Sequence, residues 1–193
     1  LGRANELHHL WQAPFTLHAN LMNTIRAEAE VARAGRKTRI IAKMNSLLEP
    51  QVIEALYEAS QAGVRIALIV RGVCALRPQV PGLSENIRVR SVVGRFLEHT
   101  RVFYFHADGE QKIFLSSADW MELNFFRRIE LCFPVLDESL KKRVIREGIR
   151  PLLRDNVQAW EMDGSGHYRR RSRRGKRYSA QETLLAMLAQ SPG

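Results

Sequence analysis

The chain has 193 residues, of which 45% are hydrophobic, 26% charged and 8% aromatic, which excludes whole-chain disorder and collagen-like sequence. No apolar run approaches the ~20 residues that a membrane-spanning helix needs, and no signal peptide is visible. The net charge is +10, but seven bases and no acid stand in the segment 169–177. This local basicity predicts either a polyanion partner or a solvated tail.

The cysteines and the first residue bear on the cellular setting. Cys74 and Cys132 are too few for a disulfide framework, and their apolar surroundings predict reduced, buried thiols. We therefore expect a cytoplasmic protein, with peripheral membrane association as an alternative. Because the chain begins with Leu1 and not with Met, we expect a piece of a longer protein.

The first seventy residues predict a strand–helix–strand unit preceded by a helix. Apolar residues at helical spacing and terminal Gly or Pro residues give a helix over 13–34, a strand over 38–43, a helix from Pro50 to near Gly63, and a strand over 64–70. The last strand is continuously apolar, as buried parallel strands are. The unit implies a parallel pair with a right-handed crossover.

The remaining chain predicts mostly antiparallel strands. After a loop over 71–86, strands are expected over 87–93, 101–105, 112–115, 128–135 and 157–161, with a hairpin turn at 107–109. Asp137 is expected to cap a helix over 138–153, and Ser179 with Glu182 to form a capping box for a final helix reaching about residue 190. The fold class is therefore α/β, a mixed β-sheet flanked by helices.

We expect a single domain over 1–193. Its predicted parts are an incoming linker and helix start over 1–15, an α/β core over 16–162, a basic loop over 163–178 and a terminal helix over 179–191.

Two cations end the strands of the parallel unit. Lys43 and Arg71 stand at the strand ends, and Asn45 follows closely. Ligands of open α/β sheets bind outside the carboxyl ends of the strands, and a guanidinium fork suits a phosphate. The alternative for Arg71 is an ordinary surface ion pair.

A histidine and an arginine open the strand at 101. His99 and Arg101 are two residues apart, so their side chains are expected to face one site. The imidazole can exchange a proton or attack phosphorus, and the guanidinium can neutralise phosphate charge. The alternative for His99 is a hydrogen-bonded structural residue.

Hydroxyls and a carboxylate follow the strand at 112–115. Ser116, Ser117 and Asp119 are candidates for anion binding at a strand end, or for a cap of the turn over 121–124. Arg127 and Arg128 are expected either to reach the same region or to pair with Glu130. The histidines and cysteines lack metal-ligand spacing, and neither a P-loop nor a nucleophile elbow is present.

Four segments carry a family resemblance that covers nearly the whole chain. KMNSLL (43–48), LIVRGVCALRP (68–78), GLSENIRVRSVVGRFLEHTRVFYF (82–105) and LSSADWMELNFFRRIE (115–130) resemble the C-terminal catalytic domain of the ATP-dependent polyphosphate kinase family. The resemblance implies half of a phospholipase D-type fold. It also implies reversible transfer of the terminal phosphate of ATP to polyphosphate, with Mg²⁺ and a phosphohistidine. The phosphorylated histidine and the magnesium-linked arginines belong to a preceding domain that this sequence does not match.

The resemblance carries roles to particular residues. Arg71 matches the arginine that contacts ATP phosphates, and His99 matches an essential histidine that contacts ATP and serves as general acid or base. Phosphate-binding roles are also expected for Lys43, Asn45, Arg101, Ser116, Ser117 and Asp119. Against the phospholipase D pattern H-x-K-x4-D, Arg101 replaces the lysine and His106 stands at the aspartate position, which argues against phosphodiesterase activity.

Three functional hypotheses follow. In the first, the chain is half of a composite kinase site, inactive alone, whose partners are ATP or ADP, polyphosphate, the remaining domains and further copies of the full-length enzyme. In the second, it is a polyanion-binding module that uses the basic run between Tyr168 and Tyr178 to hold polyphosphate or nucleic acid. The third is a dimeric phospholipase D-like half-site.

Overall fold

A nine-stranded mixed sheet organises the molecule in a computed structural model that describes residues 9–171 and 175–189. The strands lie in the order β1-β7-β6-β5-β2-β3-β4-β8-β9. They span β1 Trp11–Ala13, β2 Thr38–Met44, β3 Arg65–Val70, β4 Ile87–Val92, β5 Arg101–Ala107, β6 Glu110–Ser116, β7 Glu130–Pro134, β8 Ala159–Met162 and β9 Tyr168–Arg170. The helices are α1 Leu17–Arg33, α2 Pro50–Gln61, α3 Glu122–Phe126, α4 Glu138–Val144, α5 Arg150–Arg154 and α6 Ala180–Ala189.

The predicted parallel unit lies at the centre of the sheet. Strands β2 and β3 are parallel, and α2 connects them. The α2 helix begins at Pro50, and the carboxylate of Glu49 accepts the Val52 N–H at 2.7 Å. These contacts satisfy an N-terminal helix donor and fix where the helix begins.

The sheet is buried on both faces. Alternate strand residues, such as Ile40 and Leu68, pack with α1 and α2 in the main core. The intervening residues, such as Ile41 and Val102, pack under α4, α5 and a π-helical turn over Ile145–Ile149. The architecture is therefore helix–sheet–helix, and the predicted α/β fold class is confirmed.

The antiparallel half is built on the predicted hairpin. Strands β5 and β6 pair through seven residues from Ala107↔Glu110 to Arg101↔Ser116. The turn places Asp108 at φ 49° and Gly109 at φ 92°. Two consecutive positive φ angles match a type I′ turn, for which Asp-Gly is a preferred sequence.

The predicted long helix over 138–153 is interrupted. Asp137 accepts the Leu140 N–H at 2.8 Å, which confirms its predicted cap. The π-helical turn then separates α4 from α5, which contains Pro151. Proline has no N–H for the i→i−4 bond, so the helical ladder changes before it.

Two sheet strands lie in segments that we expected to be a linker and a loop. The predicted linker over 1–15 contains β1, which pairs with β7, and the Trp11 ring lies 4.2 Å from the Phe114 ring between centroids. The predicted loop over 163–178 contains β9, which pairs with β8. Both strands have three residues, too few for a periodic pattern.

The predicted capping box at α6 is wrong. Within the described residues Ser179 Oγ has no hydrogen-bond partner, and Glu182 pairs with Arg177 at 2.8 Å. The fully buried Asp155 takes the capping role, because its Oδ2 accepts the Ala180 N–H at 2.7 Å. Its Oδ1 accepts the N–H groups of residues 157–159. One long-range carboxylate thus replaces the local cap.

The cysteines are free thiols, as predicted, but differ in exposure. Cys132 is fully buried and Cys74 is half-buried. Burial raises the pKa of Cys132 to about 12 and that of Cys74 to about 11, so both stay protonated at neutral pH. Within the described ranges, no helix is long and apolar enough to cross a membrane.

Candidate active site

Four strands bring polar residues to one end of the sheet. The parallel strands β2 and β3 end here, followed by Asn45 and Arg71. Because β5 runs antiparallel to β2, its first residue, Arg101, lies at the same end, opposite the last residue of β6, Ser116. The predicted crevice at the carboxyl ends of the parallel strands therefore gathers residues from four strands.

Backbone hydrogen bonds connect the loops that leave these strands. Leu47 N–H donates to the Val73 carbonyl at 2.9 Å, and Leu48 N–H donates to the Trp120 carbonyl at 2.9 Å. Gly72 N–H donates to the Asn45 carbonyl at 2.8 Å, and a Cβ at position 72 would lie 2.9 Å from that oxygen. The glycine after Arg71 is needed for this close approach, which sets the spacing of the two strand ends.

Asp119 lies at the centre of a continuous chain of side-chain hydrogen bonds. Its Oδ1 accepts the Asn45 backbone N–H at 2.7 Å, and its two oxygens accept Arg101 Nε at 3.2 Å and Nη2 at 3.0 Å. Asn45 Nδ2 also donates to it, and Asn45 Oδ1 accepts Arg71 Nε at 3.1 Å. Burial alone would raise the pKa of Asp119, but the hydrogen bonds from Arg101 and Asn45 outweigh it, so the pKa lies below its usual value.

Arg101 extends this chain to His99, as their spacing predicted. Arg101 Nη1 lies 3.2 Å from His99 Nδ1 and donates to the His99 carbonyl at 3.1 Å. A guanidinium has only donors, so Nδ1 is the acceptor and the proton of a neutral ring lies on Nε2. The His99 ring is exposed, which leaves this N–H available to a ligand.

Lys43 lies at the site, but its ammonium is already bonded. The residue is 3% exposed. Its Nζ lies 3.3 Å from Glu98 Oε2, donates to the Thr100 carbonyl at 3.1 Å and also contacts the Thr100 hydroxyl. Burial lowers the pKa of Lys43 below its usual value, and the nearby Glu98 offsets only part of this effect. All three ammonium donors have partners within the protein, so the geometry favours a structural role over the predicted phosphate contact.

The loop before β5 is held in place by Gln181 and Glu98, two residues that the sequence did not indicate. The side chain of Gln181, on α6, accepts the Phe96 N–H at 3.0 Å and donates to the Phe96 carbonyl at 2.7 Å. It also lies 3.3 Å from Glu98 Oε1. Because Glu98 pairs with Lys43, the loop that carries His99 is fixed from α6 on one side and from β2 on the other.

The hydroxyls of Ser116 and Ser117 bond to β7 rather than to this cluster. Ser116 Oγ donates to the Leu131 carbonyl at 2.9 Å, and Ser117 Oγ lies 2.5 Å from Glu130 Oε2. The alternative of a helix cap is not observed either, because no side chain caps α3. The hydroxyls instead connect the end of β6 to β7.

The predicted arginine contacts of Glu130 are not formed. Glu130 accepts from Ser117 and from Asn124 Nδ2, the latter at 2.7 Å. Arg127 instead lies 3.8 Å from Glu122, and Arg128 is exposed.

The residues at this site do not fit a magnesium centre. Within the described ranges, no three His, Cys, Asp or Glu side chains are grouped as ligands. Asp119, the carboxylate at the centre of the cluster, already accepts from Arg101 and Asn45. A hard cation needs several free oxygen ligands, which this cluster does not offer.

Four arginines of the basic run, at positions 169–171 and 177, are bound to the fold through their side chains. Arg169 pairs with Asp163 at 3.3 Å, and Arg170 Nη2 donates to the Val157 carbonyl at 2.8 Å. Arg171 donates to the carbonyls of residues 153 and 155, and Arg177 binds Glu182. Residues 172–174 lie outside the described ranges. These contacts do not favour the hypothesis that the run is a free polyanion-binding tail.

The family comparison agrees with this geometry. Residues 10–181 match the family model described as polyphosphate kinase C-terminal domain 2. The chain belongs to this polyphosphate kinase domain family. The matched range contains the residues from Lys43 to Asp119 discussed above, together with the α6 residue Gln181.

Whole polyphosphate kinases are similar to this chain over part of their length. It is 62% identical over 187 residues to the polyphosphate kinase of Burkholderia multivorans, covering 96% of this chain and 27% of that protein. The polyphosphate kinase of Paraburkholderia phytofirmans is 61% identical over 185 residues. The chain thus spans about a quarter of the length of these relatives.

Solved structures are similar in fold. The crystal structure of polyphosphate kinase from Porphyromonas gingivalis matches with a TM-score of 0.92 and 38% identity, covering 97% of this chain and 29% of that one. A phospholipase D family member, Nuc from Salmonella typhimurium, matches with a TM-score of 0.53 and 14% identity, covering 71% of this chain. The second likeness confirms the predicted phospholipase D-type fold, and only the fold.

Proposed function

We propose that this polyphosphate kinase domain forms half of a phosphoryl-transfer site, in which Arg71 and His99 hold phosphates of ATP. One observation carries the proposal. A continuous chain of hydrogen bonds runs from Arg71 through Asn45, Asp119 and Arg101 to His99. Phosphoryl transfer asks mainly for positioning and charge neutralisation, and this chain fixes both groups relative to each other.

Arg71 supplies charge to the bound phosphates. Only its Nε bonds to Asn45, so within the described residues both Nη groups remain free to donate. The planar fork can then bind two oxygens of one phosphate. Asn45 fixes the direction of the fork because its amide also bonds to Asp119.

His99 supplies a directed N–H group. Its Nδ1 bonds to Arg101, so its Nε2 proton is oriented away from the protein. The Nε2–H group donates to a phosphoryl oxygen. This hydrogen bond strengthens as negative charge develops on that oxygen during the transfer. With Nδ1 bonded to Arg101 and an N–H at Nε2, the ring is placed as a hydrogen-bond donor rather than as a covalent nucleophile.

The whole reaction needs residues outside this chain. In the full-length enzyme, the terminal phosphate of ATP passes to polyphosphate through a phosphohistidine of the preceding domain. This chain holds the phosphates while that histidine reacts. We therefore expect the purified chain to bind ATP without synthesising polyphosphate.

Calorimetric titration with ATP–Mg²⁺ at about 150 mM salt tests the proposal. Replacing Arg71 by Ala removes a charged hydrogen-bonding partner and is expected to weaken binding about tenfold or more. His99→Ala is expected to weaken binding less, because it removes one N–H donor whereas Arg71→Ala removes a two-pronged guanidinium. Arg26→Ala, an exposed arginine on α1, serves as the control and is expected to leave affinity unchanged.

Two results would overturn the proposal. Equal ATP affinity for Arg71→Ala and Arg26→Ala would exclude the crevice as the phosphate site. Sustained polyphosphate synthesis by the purified chain would show that the missing nucleophile is not required. A phosphodiester hydrolysis assay on the same samples distinguishes the proposed kinase half-site from the phospholipase D-like alternative.

A further inference from the structure

A second group of cations lies at the opposite end of the same strands. We call Lys37, Arg39, Arg65, Arg88 and His106 the basal patch. In the sheet register, Arg39 lies directly between His106 of β5 and Arg65 of β3. Lys43 lies four positions after Arg39, or about 13 Å along β2. The patch is thus distinct from the candidate active site.

Three residues of the patch lack the carboxylate partners that Lys43 and Arg101 have, whereas Arg88 donates to the backbone carbonyls of residues 85 and 87. Among the described residues, Lys37, Arg39 and Arg65 have no carboxylate within 4.0 Å, whereas neighbouring Arg36 pairs with Asp108 at 2.8 Å. Like charges on directly opposite strand residues repel each other. A bound anion would relieve that repulsion between Arg39 and Arg65.

The surface at the patch is concave. A cavity of about 650 Å³ is lined by Arg36, Lys37, Arg39, Arg65, Tyr104 and His106. A second cavity of about 340 Å³ shares Arg39 and Arg65 with the first and extends to Arg88, with the carboxylate of Glu85 also in its lining. The rings of Tyr104 and His106 stack at an interplanar angle of 3° and form one wall. The adjoining cavities form an elongated groove.

The charge spacing favours a linear ligand with many charges. Neighbouring strands lie about 4.8 Å apart, so His106, Arg39 and Arg65 repeat a basic group across three strands at that interval. A single phosphate would contact one or two of them, but a chain of linked phosphates can contact the whole row.

We propose that the basal patch binds a distal part of an inorganic polyphosphate chain, separately from the site that holds ATP. The choice of polyphosphate rests on the proposed function, whereas the site itself rests on the unpaired row of cations and its groove. Contacts with polyphosphate at two ends of one sheet would hold a long chain on the enzyme between successive transfers.

The test measures binding of medium-length polyphosphate to the 193-residue chain over a range of salt concentrations. Arg39→Glu/Arg65→Glu is compared with Arg26→Glu/Arg150→Glu, which changes the net charge equally at exposed positions outside the patch. The patch variant is expected to lose about tenfold in affinity at 150 mM salt. The slope of log affinity against log salt concentration is expected to be shallower by about 1.5. The control is expected to lose less than about threefold through its change in net charge.

The uncharged pair Arg39→Gln/Arg65→Gln guards against unfolding by the introduced acids. It is expected to lose affinity in the same direction, with an unchanged circular dichroism spectrum. Equal losses for patch and control variants would overturn the proposal. Single-stranded DNA bound as tightly as polyphosphate, and equally sensitive to the patch variant, would overturn polyphosphate as the ligand.

The two proposals fail separately. ATP–Mg²⁺ affinity is expected to depend on Arg71 and not on the patch, and the polyphosphate salt slope is expected to depend on the patch. Loss of ATP binding in Arg71→Ala with no effect of the patch variant would overturn the second site alone. The reverse pattern would overturn the proposed ATP site alone.

Discussion

The two ends of strands β2 and β3 carry similar charge but organise it differently. At the active-site end, Lys43, Arg71 and Arg101 are each bonded to an acceptor on another strand or loop. At the opposite end, Arg39 and Arg65 lie side by side with no carboxylate within 4.0 Å among the described residues. This is the difference expected if one end positions a phosphoryl group and the other binds a flexible polyanion, as proposed above for the two ends.

Two buried carboxylates show the same contrast. Asp119 lies among donors, and its pKa is lowered. Glu28, on α1, is 5% exposed and its Oε2 has no partner among the described residues. Burial raises the pKa of Glu28 to about 7, with a further increase from Glu110 and opposing effects of Lys112 and the Arg39 backbone. The buried carboxylate at the active-site end has hydrogen-bond donors for both oxygens, whereas one oxygen of the carboxylate at the opposite end has none among the described residues.

The largest stability effect is expected at Asp119. Asp119→Ala leaves the half-buried Arg101 without its carboxylate, which we expect to lower the free energy of unfolding by about 3 kcal/mol. Because its folded pKa is lowered, this contribution is present above the unfolded pKa near 3.8 and is lost as pH falls through the folded value. Urea denaturation measures both the loss of stability and its dependence on pH. Arg36→Ala, which removes the exposed ion pair with Asp108 without altering the β5–β6 turn, is the control; an equal loss would contradict the contrast.

The loop clamp at Gln181 is expected to have the next largest effect. Gln181→Ala leaves the Phe96 N–H and carbonyl without partners, at a cost of about 2 kcal/mol. Hydrogen exchange of the Phe96 amide should accelerate by more than about tenfold, and ATP affinity should fall. Leu185→Ala, at an exposed position on the same helix, should change neither. Unaltered exchange at Phe96 would remove the positioning role.

Glu28 gives a smaller, pH-dependent effect. Its raised pKa adds stability below its unfolded value of 4.5, and this stability is lost as pH rises through about 7. Between pH 5 and pH 8 we expect the free energy of unfolding to fall by about 1–2 kcal/mol from this residue. Glu28→Gln should flatten the profile measured by thermal unfolding. An identical profile in the variant would show that Glu28 is not the group involved.

The smallest stability effect is expected at the basal patch. Replacing Arg39 and Arg65 by Ala removes two like charges that have no acidic partner. The free energy of unfolding should therefore change by less than about 0.5 kcal/mol. Chemical denaturation at low salt is the sensitive measurement, because repulsion is least screened there. A loss above about 1 kcal/mol would show that these arginines stabilise the fold and would weaken the comparison between the two ends.

The sequence predicted those parts of the fold that depend on neighbouring residues. The parallel unit follows from continuous apolar strands around an amphipathic helix, and the β5–β6 hairpin follows from Asp108-Gly109. The edge strands β1 and β9 were missed because three residues pair only after the rest of the sheet exists. The cap of α6 was misassigned because Asp155 lies 25 residues away.

The candidate site divides in the same way. Strand ends predicted that Arg71 lies at the crevice, and a two-residue spacing predicted that His99 and Arg101 face one site. The two places coincide because β5 runs antiparallel to β2. The roles of Glu98 and Gln181 were missed because Gln181 lies 85 residues beyond Phe96. One signal was available: a lysine at the end of a buried strand requires an acidic partner, and Glu98 is close to His99 in sequence.

The hydrogen bonds between Gln181 and Phe96 also impose an order on biosynthesis. The ribosome adds the 85 residues between them in about 4–17 s at 5–20 residues per second. During that interval the central strands can pair, while the segment bearing His99 lacks its clamp. The central strands can therefore pair before the loop that carries His99 is held, and a ribosome that stalls before residue 181 leaves that loop without the clamp from Gln181.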